Sequence, residues 1–275
     1  MKVQLTESQY LLLLEFQKRA YSFDWDDNIL NMPTKIHLEK RVGMDDWIPV
    51  DASTAEFADL RHELGKGFRF LNDNPDDAFK DFKEHQSFLN DTEKALRKGD
   101  YGPSFEKFKE ALIYGNDFSI ITARGNSPMT LRDATKLLID KHFTEEERQT
   151  MMGNLKGVTI DQYLNLQDYH PVSSEEFGER FGIEVAGGAA NPERAKTIAL
   201  EDFVRRVVQS AKQLQGDDGY EGLSVGFSDD DLGNVIKAEE FIRAELHKAY
   251  PNIKFLVYDT SDPKDTKKKR IIIKK

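Results

Sequence analysis

Acidic side chains follow two apolar segments of this chain, at places where neighbouring carboxylates would repel one another. Asp24 and Asp26 come directly after one short apolar segment, and Asp229 and Asp230 follow another one far along the chain. Clustered carboxylates at a strand end are stabilised when a cation lies among them, because the cation cancels their repulsion. This pattern predicts a cation site built from strand ends that are distant in sequence.

Two further residues lie at the ends of predicted elements, where they could contact an anion. Thr122 follows the apolar segment 117–121, and Lys196 lies in the first turns of a helix. That helix should begin with Asn191 as its N-cap and Pro192 at its first position. A carboxylate nucleophile, a hydroxyl donor, a lysine and a metal ion together meet the needs of phosphoryl transfer. The residue types therefore indicate phosphoryl-group chemistry.

The elements that must position these residues alternate between strand and helix through most of the chain. Such alternation predicts an α/β fold with a doubly wound parallel sheet. Ligands of such sheets bind beyond the carboxyl ends of the strands, so we expect the acidic residues and Thr122 to converge at one edge. The predicted strands are 20–23, 117–121, 169–172, 223–227 and 254–258, and the main predicted helices are 6–19, 105–114, 128–142, 191–214 and 234–249.

The segment between the first two predicted strands, 20–23 and 117–121, has a different pattern. Residues 35–53 alternate weakly around a polar turn, which predicts a β-hairpin. Residues 54–98 have helical spacing that is interrupted near 72–75. The sequence therefore predicts a hairpin followed by mostly helical structure.

The composition indicates a folded, soluble protein with an acidic surface. Of its 275 residues 39% are hydrophobic, and the formal net charge is −10. No apolar run approaches the ~20 residues that a membrane-spanning helix requires, so we expect a cytoplasmic protein with no membrane partner. The negative charge disfavours a duplex nucleic-acid partner but leaves a local basic patch open. The chain has no cysteine, which excludes disulfides, thiol catalysis and cysteine zinc sites.

Taken together, these residues resemble the four motifs of the haloacid dehalogenase (HAD) superfamily, in their usual order. Residues 23–28 resemble the first motif, a strand followed by Asp-x-Asp, and 120–122 resemble the second, a strand that ends in Thr or Ser. Lys196 fits the third motif and 225–230 fit the acidic fourth. Each motif alone is weak, but four in order, each at a predicted strand or helix end, are specific.

The resemblance implies a phosphatase that forms an aspartyl-phosphate. Asp24 would be the nucleophile, and Asp26 would protonate the leaving oxygen and then activate water. Thr122 would donate a hydrogen bond to a phosphoryl oxygen, and Lys196 would neutralise charge on the phosphoryl group and on Asp24. Asp27 and Asn28 stand where many members of the family have Gly and then Thr or Val. We expect these two differences to alter local turn geometry rather than to abolish the chemistry.

The resemblance also implies a Mg²⁺ cofactor, which prefers hard oxygen ligands. The Asp24 side chain, the backbone carbonyl of Asp26 and the Asp229 side chain would bind it. Asp230 would be a further ligand or a partner of one. Because Asp231 follows directly, the choice among Asp229, Asp230 and Asp231 stays open.

A cap is the second structural feature that the resemblance implies. Residues 1–32 and 100–275 would form the HAD-like Rossmannoid core, and 33–99 would form a mostly helical cap insert with a hairpin. Arg124 and Gly125, which follow the second motif, are the candidate substrate contacts, and the alternative for Arg124 is that it simply caps a turn.

Three functions are consistent with these motifs. The leading expectation is hydrolysis of a small phosphate monoester. The alternatives are a nucleic-acid end phosphatase, which would need an open basic groove, and a catalytically degenerate HAD domain that serves as a binding module. The substrate and the oligomeric state stay open.

Overall fold

The computed structural model of the protein describes residues 19–185, 191–262 and 269–272, which form a mixed α/β fold. The strands of this part of the chain are β1 (Arg19–Phe23), β2 (Ile36–Arg41), β3 (Trp47–Ala52), β4 (Phe68–Phe70), β5 (Asp117–Thr122), β6 (Asp168–Pro171), β7 (Ser224–Asp229), β8 (Lys254–Asp259) and β9 (Lys269–Ile272). A central sheet has the strand order β6-β5-β1-β7-β8-β9. Its first five strands are parallel, and β9 is antiparallel to β8. The predicted parallel sheet is confirmed.

Helices connect these strands. In the described residues they are α1 (Thr54–Leu60), α2 (Pro75–Ala78), α3 (His85–Lys98), α4 (Phe105–Ile113), α5 (Pro128–His142), α6 (Glu145–Asn154), α7 (Ile160–Leu164), α8 (Glu175–Phe181), α9 (Pro192–Gln215), α10 (Leu232–Phe241) and α11 (His247–Ala249). The prediction of one helix over 234–249 is confirmed except that a π-helical turn, Ile242–Leu246, joins α10 to α11.

Side chains of the central sheet are buried on both of its faces. Tyr21 and Phe23 pack into one apolar cluster together with residues of α3, α4, α5, α6 and α7. Ala20 and Ile121 pack into a second cluster with residues of α8, α9 and α10. All six residues of β5 are buried, as expected for a parallel strand that is covered on both sides.

Local sequence signals determine where the helices that matter for the site begin. The side chain of Asn191 accepts a hydrogen bond of 2.9 Å from the backbone N–H of Arg194, and Pro192 occupies the first turn of α9. Ser127 and Pro128 begin α5 in the same way. Both starts agree with the prediction, and the start of α9 places Lys196 on its buried face.

The segment between β1 and α4 contains a small sheet of its own. Strands β2 and β3 form the predicted hairpin, and β4 pairs with the other side of β2. The expectation of mostly helical structure over 54–98 is therefore wrong at β4. Phe68 and Phe70 alternate with a polar residue, and three residues are too few for this period to be seen beside helical neighbours. Single 3₁₀ turns at Arg61–Glu63, Leu71–Asp73 and Lys80–Phe82 also divide the segment.

One predicted element lies outside the described residues. The predicted helix 6–19 falls on the undescribed residues 1–18, and its last residue, Arg19, begins β1. Among the residues that are described, none of the helices combines the length and apolar character needed to cross a membrane.

Candidate active site

Three strand ends meet at one edge of the central sheet, as the sequence predicted. Strand β1 lies between β5 and β7, with Phe23 level with Ile120 on one side and with Ser228 on the other. Asp24 therefore leaves the sheet beside the ends of both neighbouring strands. Its backbone N–H donates a 3.0 Å hydrogen bond to the carbonyl of Ser228, which fixes the first residue of the loop.

Lys196 joins two of these strand ends. Its side chain is about 5% exposed, and Nζ lies 2.9 Å from Asp24 Oδ1 and 2.7 Å from Asp229 Oδ2. Burial disfavours the charged amine and lowers its pKa, but the attraction of Asp229 and Asp24 is larger, so the pKa of Lys196 lies above its ordinary value. The lysine is therefore a fixed positive charge between the two carboxylates.

Three carboxylates around this lysine are close enough to share one cation. Asp24, Asp229 and Asp230 each offer an oxygen, and these oxygens lie within 4.8 Å of one another. Burial, which outweighs the attraction of Lys196, together with repulsion from Asp229 and Asp230, raises the pKa of Asp24 well above its ordinary value. Burial and the Asp229 charge raise the pKa of Asp230 to about 8. One lysine does not balance three acids, and hard oxygen donors with excess negative charge fit a divalent ion such as Mg²⁺.

The third acid of the fourth motif has a different function. Asp231 is the N-cap of α10, and its Oδ1 accepts hydrogen bonds from the backbone N–H groups of Gly233 and Asn234 at 2.7 and 3.4 Å. Asp229 Oδ1 accepts bonds of 3.0 Å from the Asp231 N–H and 2.9 Å from Asn234 Nδ2. Asp229 and Asp230 thus lie in the three-carboxylate cluster, and Asn234 orients Asp229. Which of these acids binds a metal directly stays a prediction.

Asp26 is turned away from the three-carboxylate cluster. Its Oδ1 accepts a 2.7 Å hydrogen bond from Arg124 Nη2, and its Oδ2 accepts one of 2.8 Å from Arg124 Nε. Thr122 Oγ1 donates a longer bond of 3.2 Å to the same Oδ2. The side chain of Asp26 is thus not part of the predicted metal centre. The binding of metal by its backbone carbonyl, which the resemblance implies, stays a prediction.

Arg124 differs from its expected role as a substrate contact. Its side chain is only 1% exposed, and Nη2 also donates to Thr34 Oγ1 at 2.8 Å. The guanidinium carbon lies 4.5 Å from the ring centre of Phe82 and 4.4 Å from that of Phe88. Enclosed in this way, the guanidinium faces Asp26 and not an open surface.

Gly125, the other predicted substrate contact, lies on the wall of a cavity of about 540 Å³. A Cβ at this position would lie 3.2 Å from Lys83 Cγ and 3.3 Å from the carbonyl oxygen of Ser173, so a side chain here would crowd the wall. The cavity lies between the segment that joins β1 to α4 and the ends of β5 and β6. Its wall is formed by Asp76, Lys83, Gly125, Ser127, Ser173, Ser174, Glu175, Glu176 and Val185.

Asn28 is a site residue whose importance the sequence did not reveal. Its fully buried side-chain amide donates to the backbone carbonyl of Asp24 at 3.2 Å and to that of Ser228 at 3.1 Å. Its Oδ1 accepts a 2.9 Å bond from Thr260 Oγ1. Asn28 thus fixes the loop after β1 to the ends of β7 and β8. A signal was present, since a lone amide follows Asp24 by four residues and precedes the apolar pair Ile29-Leu30.

Asp27 lies in a turn after β1 and has a left-handed backbone conformation. Its φ is 54°, in the left-handed region where glycine is common. Its Oδ2 accepts a short hydrogen bond from Thr54 Oγ1, at the start of α1. That bond connects the loop after β1 to α1, which lies in the segment between β1 and α4.

Comparison of the chain with family models, with curated proteins and with solved structures gives no match. The functional conclusion therefore depends on the geometry of the site and on the motifs.

Proposed function

We propose that the protein is a Mg²⁺-dependent phosphatase of the HAD type that uses Asp24 as its nucleophile. One observation carries the proposal: a buried carboxylate at the end of the central strand, Asp24, lies against Lys196 and within reach of the acidic pair Asp229-Asp230. A nucleophilic carboxylate, a fixed cation and a set of hard oxygen ligands are the groups that phosphoryl transfer through a covalent intermediate requires.

In the proposed reaction, an oxygen of Asp24 attacks the phosphorus atom of a monoester and forms an aspartyl-phosphate. Asp26 gives a proton to the leaving alcohol and later takes one from the attacking water. Lys196 and the Thr122 hydroxyl stabilise charge on the phosphoryl oxygens. Mg²⁺, when bound by Asp24, Asp229 and Asp230, supplies further charge neutralisation at these oxygens.

Two features of the fold support this proposal: the helices on both faces of the sheet and the position of the 33–99 segment. Helices on both faces of the parallel sheet are consistent with a doubly wound HAD-like core. We infer that 33–99 is its cap, because this segment contributes Thr34, Asp76, Phe82, Lys83 and Phe88 to the surroundings of Arg124 and of the cavity.

We infer that the substrate extends into the cavity, because Gly125 on its wall follows Thr122 and Arg124 in the loop after β5. The lining then favours a small, hydroxyl-bearing substrate over a nucleic acid. Its charged residues are Asp76, Glu175 and Glu176 against a single lysine, Lys83, which is already paired with Asp76. A nucleic-acid end phosphatase needs a basic surface that neutralises several phosphates, and this wall has the opposite charge. Serine hydroxyls, carboxylates and one amine are suited to hydrogen bonds with a polyol or sugar.

The test is phosphate release from a panel of sugar phosphates, polyol phosphates, nucleotides and phosphorylated oligonucleotides, with Mg²⁺ or with EDTA. We expect release that needs Mg²⁺ and that falls at least about 10³-fold in Asp24→Asn, because the covalent nucleophile is lost. The matched control is Asp59→Asn, which changes an exposed aspartate on α1 and should leave turnover unchanged.

The other outcomes separate the alternatives. Preference for phosphorylated oligonucleotides over sugar phosphates would establish nucleic-acid end processing. Binding of Mg²⁺ with no turnover on any substrate would support a degenerate binding module. Full activity in Asp24→Asn would disprove the proposed nucleophile.

A further inference from the structure

We propose that Arg124 is a positioning residue that holds the carboxylate of Asp26 for proton transfer and connects it to the 33–99 segment. This inference rests on the proposed function, since it assigns Asp26 the role of proton donor and acceptor. It replaces the substrate contact that the sequence suggested for Arg124. The guanidinium group contacts Asp26, is enclosed by protein and has one buried nitrogen without a hydrogen-bond partner among the described residues.

The contact between the two side chains fixes the orientation of Asp26. Arg124 Nη2 and Nε each donate to a different oxygen of Asp26, at 2.7 and 2.8 Å, and Nε also lies 3.1 Å from Oδ1. A planar guanidinium that donates to both oxygens determines the plane of the carboxylate as well as its position. Rotation of Asp26 about its side-chain bonds would break at least one of these hydrogen bonds.

The guanidinium is itself held from the side of the 33–99 segment. The Phe82 and Phe88 rings lie 4.5 and 4.4 Å from its central carbon. Thr34 Oγ1 accepts from Nη2 at 2.8 Å and donates to Asp91 Oδ2 at 2.9 Å. Each of these four partners belongs to 33–99, whereas Arg124 and Asp26 follow strands of the central sheet. The orientation of Asp26 therefore depends on how this segment packs against the sheet.

The arrangement is a poor way to stabilise a fold. A buried ion pair gains little over apolar side chains of similar volume, because removing both charges from water offsets their attraction. Arg124 Nη1 is also buried and has no hydrogen-bond partner among the described residues. An unsatisfied buried donor costs stability and requires an explanation. The need to orient a reacting carboxylate explains the unsatisfied donor, since polar groups that weaken the fold concentrate at functional sites.

The reaction gives this positioning a measurable consequence. Proton donation to the leaving oxygen matters greatly for an alkyl ester, whose alkoxide is a poor leaving group, and little for p-nitrophenyl phosphate, whose phenolate leaves unprotonated. General acid catalysis contributes about 10²–10⁴-fold, and a displacement of about 1 Å can remove roughly 10²-fold of the rate. Loss of Arg124 should therefore affect the two classes of ester differently.

The experiment compares kcat/KM for the best alkyl phosphate and for p-nitrophenyl phosphate in wild type, Arg124→Lys and Arg124→Met. We expect Arg124→Met to lose about 10²-fold on the alkyl ester and less than about 3-fold on the aryl ester. Arg124→Lys should lie between wild type and Arg124→Met, since lysine keeps the charge but cannot donate from a planar fork. Arg205→Met, at an exposed pair on α9, is the matched control and should change neither value.

A double variant tests whether Arg124 acts through Asp26. In an Asp26→Asn background, Arg124→Met should cause no further loss on the alkyl ester. Equal losses on both esters, or multiplication of the two effects in the double variant, would overturn the inference and leave Arg124 as a packing residue. The dependence of wild-type turnover on Mg²⁺ and on Asp24 tests the proposed function separately. If Arg124→Met does not fold, the ester comparison in Arg124→Lys decides the same question.

Discussion

Replacement of Lys196 by methionine should destabilise the protein through a specific electrostatic effect. Methionine keeps most of the volume of lysine but removes the positive charge between Asp24 and Asp229, whose oxygens lie 2.9 and 2.7 Å from Lys196 Nζ. Both carboxylates are buried, so neither gains water as a substitute partner. The variant therefore leaves like charges facing each other without a cation.

The size of the effect follows from the burial of the pair. Removal of one partner of a buried ion pair costs about 3–5 kcal/mol. For a chain of this length each kcal/mol corresponds to roughly 2–4 °C in Tm, so we expect Tm to fall by about 6–20 °C. Without the lysine, the pKa of Asp24 should rise further, because the attraction of Lys196 is the largest influence that lowers it. A protein in which folding raises the pKa of a carboxyl becomes less stable as pH rises. The loss of stability in Lys196→Met should therefore be larger at pH 8 than at pH 5.

The assay is thermal unfolding followed by circular dichroism, in EDTA and in Mg²⁺, at pH 5 and pH 8. Arg205→Met provides the control, because it removes a cation from an exposed pair on the same helix, where such pairs contribute about 0.3–0.5 kcal/mol. We expect Mg²⁺ to restore part of the Tm of Lys196→Met, since a cation bound to Asp24 and Asp229 replaces the missing charge.

Two results would contradict an electrostatic origin of the loss of stability. The first is a Tm of Lys196→Met equal to that of Arg205→Met, which would mean that the buried pair contributes no more than an exposed one. The second is a loss of stability that does not change between pH 5 and pH 8, which would attribute the effect to packing and not to the carboxylates.

Three further predictions concern the metal, the loop after β1 and the turn that supports it. Without Mg²⁺, stability should fall as pH rises from about 4 towards the pKa of Asp230, about 8, because the folded protein binds a proton that the unfolded chain releases. Titration calorimetry should accordingly show tighter Mg²⁺ binding at pH 8 than at pH 6, and pH-independent affinity would contradict the assignment of Asp230. Asn28→Leu should cost about 1–3 kcal/mol in urea unfolding by leaving buried carbonyls unpaired, whereas an unchanged midpoint would show that these bonds are dispensable. Gly102→Ala should cost roughly 1–3 kcal/mol or more by overpacking, because the new Cβ would lie 2.4 Å from the Asn28 carbonyl oxygen; a stable variant would mean that the loop moves freely.

Several features of the protein followed from local sequence alone. Asn191-Pro192 begins α9 as predicted, because an N-cap side chain and proline act within one turn. The helix predicted over 128–142 also begins where it was expected, at Pro128. The apolar segments before Asp24 and Asp229 form strands of a parallel sheet, and this topology brings their carboxyl ends to one edge.

Long-range packing determines which side chains at that edge contact one another. The sequence predicted Asp26 and Arg124 as separate site residues, but in the structure they pair, and the Phe82 and Phe88 rings pack against the guanidinium. Long-range packing also places Asp230 in the acidic cluster, whereas Asp231 caps a helix. Periodicity determines which face of an element a residue occupies. The direction of a long side chain depends on partners that are distant in the chain, so only the folded structure shows it.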